Sequence, residues 1–182
     1  MKSCITIFVG LLLISNAQAN ADIKIPGTMM VNAGPEHPAR LRIACLPESD
    51  SGSLVIELTI PDAYTRKDFD YDDFEGPDAP TDPLSRVDYV TATHSAPITM
   101  KASGSYIPLP ANAFQFAINE PPRRKSQEAT LIASFGSQPG KFVWTQSSID
   151  QSQRRFTATF DFDVAEATRV HDMTIACLPK KK

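Results

Sequence analysis

Histidine, tryptophan and cysteine are all scarce in this chain of 182 residues: three, one and three respectively. His37, His94 and His171 are isolated from one another, with no H-E-x-x-H and no close pair, which excludes the familiar zinc spacings. The cysteines lack the C-x-x-C spacing of a dithiol redox enzyme. No G-x-S-x-G elbow is present; Gly136-Ser137-Gln138-Pro139-Gly140 has its serine in the wrong place. His94 and Asp88 with a nearby serine make a triad only by chance composition, which any chain of this size offers. Positive charge is not in excess either: the formal net charge is −3, so no electrostatic footprint for nucleic acid stands out. Beyond the first twenty residues there is no long apolar run, and no membrane span is expected. These absences argue against catalysis and against a metal or cofactor.

What is present begins with a leader. Lys2 precedes an apolar stretch, Ile5 to Ile14, and Ala17-Gln18-Ala19 has the small-x-small pattern of a cleavage site. Residues 1–19 therefore read as a secretory signal peptide, with cleavage after Ala19 or Ala21. A lipoprotein anchor needs a cysteine just after the apolar run, and Cys4 lies before it, so none is expected. The expected location is the periplasm or the exterior, and residues 22–182 form one domain with a sizeable core.

Alternation with period two dominates the mature sequence. Leu54, Ile56, Leu58 and Ile60 share a face. So do Phe114, Phe116 and Ile118, and so do Phe142 and Trp144. The cleanest case is Phe156, Ala158, Phe160, Phe162 and Val164, set against Thr157, Thr159, Asp161 and Asp163. Leu131, Ala133 and Phe135 are read the same way, and Val87 to Thr93 and Ile98 to Ala102 are weaker strands. Asp163 to Thr168 admits one helical turn at most. Polar turns such as Ser49-Asp50-Ser51-Gly52 separate the runs. The expectation is an all-β, single-domain antiparallel β-sandwich of immunoglobulin-like architecture. It is not a true immunoglobulin sequence, because the only tryptophan, Trp144, lies far downstream of the first mature cysteine.

One pentapeptide occurs twice, as Ile43-Ala44-Cys45-Leu46-Pro47 and Ile175-Ala176-Cys177-Leu178-Pro179. Leu41, Ile43 and Cys45 share a face by alternation, as do Met173, Ile175 and Cys177. Each proline ends its run, lacking the N–H that a ladder needs. The two segments are expected to be N- and C-terminal strands tied by a Cys45–Cys177 disulfide, as suits an exported chain.

The most unusual stretch runs from Asp68 to Pro83. It holds seven carboxylates and no basic residue. Three roles compete for it: a solvated connection, a protein-binding loop, and a calcium site. Asp68-x-Asp70-x-Asp72 starts like an EF-hand, but Asp73 stands where glycine is needed and Ala79 where the last glutamate is needed. In the protein-binding reading, Phe69, Tyr71 and Phe74 are apolar anchors. Asp68, Asp70, Asp72, Asp73 and Glu75 then steer a basic partner. The expected function is thus an exported binding protein without catalysis. Its most concrete form is an inhibitor or immunity-type protein acting on a basic enzyme of the cell envelope. The alternatives are a carbohydrate- or calcium-binding adhesin-like module, with Trp144 or Tyr106 as sugar platforms, and a structural subunit that offers an open edge strand.

Overall fold

The computed structural model describes residues 22–46, 53–76, 79–120, 127–136, 138–150 and 154–175. The leader and Cys177 lie outside the described residues. Among the described residues nine strands are present: β1 (Asp22–Val31), β2 (Glu36–Leu46), β3 (Ser53–Pro61), β4 (Ser85–Val90), β5 (Ile98–Met100), β6 (Ser103–Ile107), β7 (Ala113–Glu120), β8 (Gly140–Ser147) and β9 (Arg155–Phe162). The described residues also hold two helices, α1 (Gln127–Ser134) and α2 (Val164–Ile175), and short 3-10 turns at Ala63–Thr65 and Asp72–Phe74. The fold is all-β, and every strand pairing is antiparallel.

The strands form one hydrogen-bonded sheet in the order β5-β4-β8-β9-β1-β2-β3-β7-β6. Its two edge strands, β5 and β6, are consecutive in the chain and separated only by Lys101 and Ala102. A flat nine-stranded sheet would hold its edges roughly 38 Å apart at about 4.8 Å per strand. Two intervening residues span at most about 11 Å. The sheet must therefore roll on itself until its edges meet. Contacts across the interior agree: Phe116 on β7 lies 5.5 Å from Phe156 on β9 and 6.4 Å from Trp144 on β8, ring centre to ring centre. The core is this aromatic interior, with Phe114, Phe116, Phe142, Trp144, Phe156 and Phe160 all fully buried.

The alternating faces stand where the residue pattern puts them in β2, β3, β7, β8 and β9. Phe160 is buried and Asp161 exposed, and Phe160 and Phe162 share the inner face. Two segments depart from the strand reading. Leu131 to Phe135 belongs to α1 and its end, where Leu131, Ile132 and Phe135 are buried at helical spacing while Ala133 is exposed. The C-terminal segment is not a strand. It is the twelve-residue helix α2, so Ile175 is 46% exposed and Thr174 is fully buried, the reverse of the alternation expected there. A step of 100° per residue puts Ala167, Val170 and Thr174 on one face and turns Ile175 away. Val164, grouped with the inner face of β9, is the first residue of α2 and is exposed. The helix starts with a capping box: Glu166 N donates to Asp163 Oδ1 at 2.7 Å, and Asp163 N donates to Glu166 Oε2 at 3.2 Å.

Candidate functional site

The acidic segment follows β3 and the 3-10 turn at Ala63–Thr65 and packs against β6, β7 and β9, with its rings pointing inward. Phe69, Tyr71 and Phe74 are no more than 2% exposed. Phe69 meets Phe156 edge-on at 5.0 Å, Tyr71 lies 5.3 Å from Phe114, and Phe74 meets Phe116 edge-on at 5.2 Å. Their role as exposed partner anchors is corrected: they are core residues that close the sheet. The physical reason is the roll itself, which leaves an aromatic-lined gap that only a neighbouring apolar segment can fill. Trp144 is likewise fully buried, so it offers no sugar platform.

The carboxylates between those rings face outward, and several are tied to the body of the fold. Asp68 accepts two bonds from Arg66, at 3.2 and 2.5 Å, and its Oδ2 lies 4.0 Å from His37 Nε2. Asp70 is ion-paired with Arg154. That contact accounts for one of the basic residues ahead of β9 as an intramolecular counter-charge. Asp72 and Glu75 are held by a neutral partner, Tyr106 on β6. The Tyr106 hydroxyl donates to Asp72 Oδ1 at 2.7 Å, and its backbone N–H donates to Glu75 Oε1 at 3.0 Å. Glu75 also forms a bridge with Gly104, which covers the outer edge of β6. Asp73 is exposed on the same turn.

Asp72, Asp73 and Glu75 therefore form the outward acidic end of the segment. Beside them stands an aromatic pair: Tyr106, a candidate platform in the sequence, and Tyr64, which the residue pattern did not indicate. Tyr64 and Tyr106 are 4.2 Å apart between ring centres, tilted by 38°. Tyr64 is 50% exposed, and Leu109, on the loop after β6, is 82% exposed. Tyr106 rests edge-on against buried Phe114 at 4.8 Å, which fixes its ring. Burial first, then the bond to Asp72 and the charges of Asp72 and Glu75, push the Tyr106 hydroxyl well above the ordinary phenol range. It therefore remains a hydrogen-bond donor at neutral pH. A signal for Tyr106 did exist in the sequence: Ser103-Gly104-Ser105-Tyr106-Ile107 alternates weakly, as an edge strand does. Nothing local marks Tyr64.

Both oxygens of Asp88, on β4, are occupied by the loop that follows the strand, accepting from Ser95 Oγ at 2.6 Å and from Ala96 N at 3.0 Å, while His94 N donates to Thr91 Oγ1. Among the described residues no group of three or more His, Cys, Asp or Glu is placed to hold a metal ion. No described helix is long and apolar enough to cross a membrane. Comparison of the chain with protein-family models, with curated proteins and with solved structures finds no match.

Proposed function

We propose that the chain is an exported, non-catalytic binding protein of the periplasm or exterior whose partner is a basic protein. Its most concrete form is an inhibitor or immunity-type protein directed at an envelope-acting enzyme. One observation carries this reading: a partly exposed pair of tilted rings in contact, Tyr64 and Tyr106, is bordered by Asp72, Asp73 and Glu75. Rings held rigid by the core supply apolar contact at little entropic cost, and lysine or arginine is attracted to both the ring faces and the carboxylates. The structural-subunit alternative has less support, because Glu75 covers β6 and α1 lies against β5.

The experiment is capture from envelope extract by the mature protein, followed by kinetics on the captured partner. Asp72→Asn with Asp73→Asn is expected to slow association and flatten its salt dependence, since exposed charges steer encounters over a Debye length of about 10 Å at 0.1 M salt. Tyr64→Ala is expected to raise the off-rate while leaving the melting temperature nearly unchanged. Capture that is equal for wild type and both variants would sink the reading.

The finer fold proposals belong here as well. The two facing halves of the rolled sheet act as a sandwich, with the chain crossing between them at Lys101 and Ala102. We further propose that Cys45 pairs with Cys177. Cys45 is buried near the end of β2, and α2 packs against β2 and ends two residues before Cys177 in the sequence. The bridge would then join a strand to a helix end. Mass spectrometry of the unreduced, alkylated mature protein is expected to show the linked peptides. Two alkylated thiols in the denatured, unreduced protein would exclude the bridge.

A further inference from the structure

We infer that the tyrosine patch takes an arginine side chain of its partner in preference to lysine, with the guanidinium laid over the open surface of Tyr64; this rests on the binding role proposed for that patch. The rings come first. Tyr106 is set edge-on against buried Phe114 at 4.8 Å, and Tyr64 leans on Tyr106 at 4.2 Å with a tilt of 38°. Tyr64 is 50% exposed, so the part of its ring turned away from Tyr106 meets water. Its backbone is fixed as well. It lies within the 3-10 turn Ala63–Thr65, where Ala63 is buried and Thr65 N donates to Asp62 O at 3.1 Å. Asn112 Nδ2 donates to Asp62 Oδ1 at 3.4 Å, which ties this turn to the loop between β6 and β7. A tyrosine held in this way supplies contact area with little conformational freedom left to lose.

The charge around the rings decides the class of occupant. Among the described residues no Lys, Arg or His is ion-paired with Asp62, Asp72, Asp73 or Glu75, whereas Asp68 and Asp70 on the same segment have arginine partners. The bonds that reach three of the four come from neutral donors: Asn112 to Asp62, the Tyr106 hydroxyl to Asp72, and Tyr106 N to Glu75. Each occupies one oxygen and leaves the carboxylate its negative charge. The platform therefore stands in uncompensated negative charge, and a cation complements it. A metal ion is a poor fit, because no group of three or more His, Cys, Asp or Glu among the described residues is placed to hold one. The charge is spread around the rings, which suits a delocalised cation. Lysine and arginine differ at such a place. An ammonium is compact and strongly hydrated, so covering a ring costs it water. A guanidinium is planar and more weakly hydrated, and it stacks on an aromatic face. Its five N–H groups then point outward in its own plane, where they can reach oxygens of more than one carboxylate.

The test is an NMR titration of the mature protein, labelled at its tyrosine rings, in low salt so that surface charge is not screened. The probes are three blocked tripeptides: Gly-Arg-Gly, Gly-Lys-Gly and Gly-citrulline-Gly, whose urea has the shape of a guanidinium without its charge. The arginine peptide is expected to shift the Tyr64 and Tyr106 ring signals saturably, with a dissociation constant at least about threefold below that of the lysine peptide. The citrulline peptide is expected to give no saturable shift. Tyr64→Ala is expected to erase the preference for arginine, read at Tyr106, and Tyr64→Phe to retain it. Asp72→Asn with Asp73→Asn is expected to weaken both cationic peptides by a similar factor, because these carboxylates supply charge and not the stacking surface. Equal affinity for arginine and lysine, or a preference that survives Tyr64→Ala, overturns the choice of arginine and leaves a basic partner standing. The absence of any saturable shift with the arginine peptide overturns it too, and capture from envelope extract then judges the basic partner separately. Citrulline binding as tightly as arginine overturns both the arginine site and the charge-based reading of the patch.

Discussion

Replacing Phe74 by alanine is expected to destabilise the protein by about 3–5 kcal/mol, the range for removing a buried aromatic ring. Phe74 is 1% exposed and packs against Phe69 and Phe116, so its removal leaves a cavity where the acidic segment closes the rolled sheet. The neighbouring exposed change Asp73→Asn should fall within about 0.5 kcal/mol of wild type. Chemical denaturation of the two variants checks both values. If the segment were a solvated connection, the two substitutions would behave alike, and that outcome would refute its place in the core. The same comparison separates stability from the proposed binding: Phe74 is buried in the core, whereas Asp72, Asp73 and Tyr64 are exposed.

A loss of similar size, about 3–5 kcal/mol, is expected for Phe160→Ala. Phe160 is fully buried on β9, and its ring lies over the one place in β1 where only glycine fits. Gly27→Ala alone is expected to cost about 1–3 kcal/mol by overpacking, because the new methyl meets both the Phe160 ring and the Thr159 carbonyl. The double variant removes one of these two obstacles. It should therefore lose less than the sum of the single losses, by a coupling of about 0.5–3 kcal/mol. The carbonyl remains in the way, so some cost of Gly27→Ala persists even without the ring. Denaturation midpoints for the four proteins of this cycle measure the coupling. Strict additivity would mean that β1 and β9 do not approach one another at Gly27.

The difference between the legible and the illegible parts of this chain is physical. Strand faces such as Leu54 to Ile60 and Phe156 to Phe162 were readable because burial on a strand alternates with every residue, a local rule that needs no partner. The helix α2 was hidden because its inner face consists of Ala167, Val170 and Thr174, which carry little hydrophobic contrast. Ile175 and the repeated pentapeptide suggested a strand instead. The capping box Asp163-Val164-Ala165-Glu166 was the one sign of a helix start. Likewise, β1 escaped notice because Pro26 and Gly27 interrupt its apolar pattern, although the strand runs unbroken from Asp22 to Val31.

By itself the sequence determined the all-β class, the inner faces of the main strands, and the concentration of carboxylates between Asp68 and Pro83. It also determined that acids and aromatics would lie side by side there. Only the tertiary structure decided which aromatics face water. Rolling the sheet until β5 meets β6 creates an interior larger than the strands alone fill. Phe69, Tyr71 and Phe74 are drawn into it because burying rings is worth more than leaving them exposed. Tyr64 and Tyr106 remain at the rim, where a phenol keeps its ring against the core and its hydroxyl on Asp72. Closure of a sheet is a long-range event, and no window of neighbouring residues encodes it.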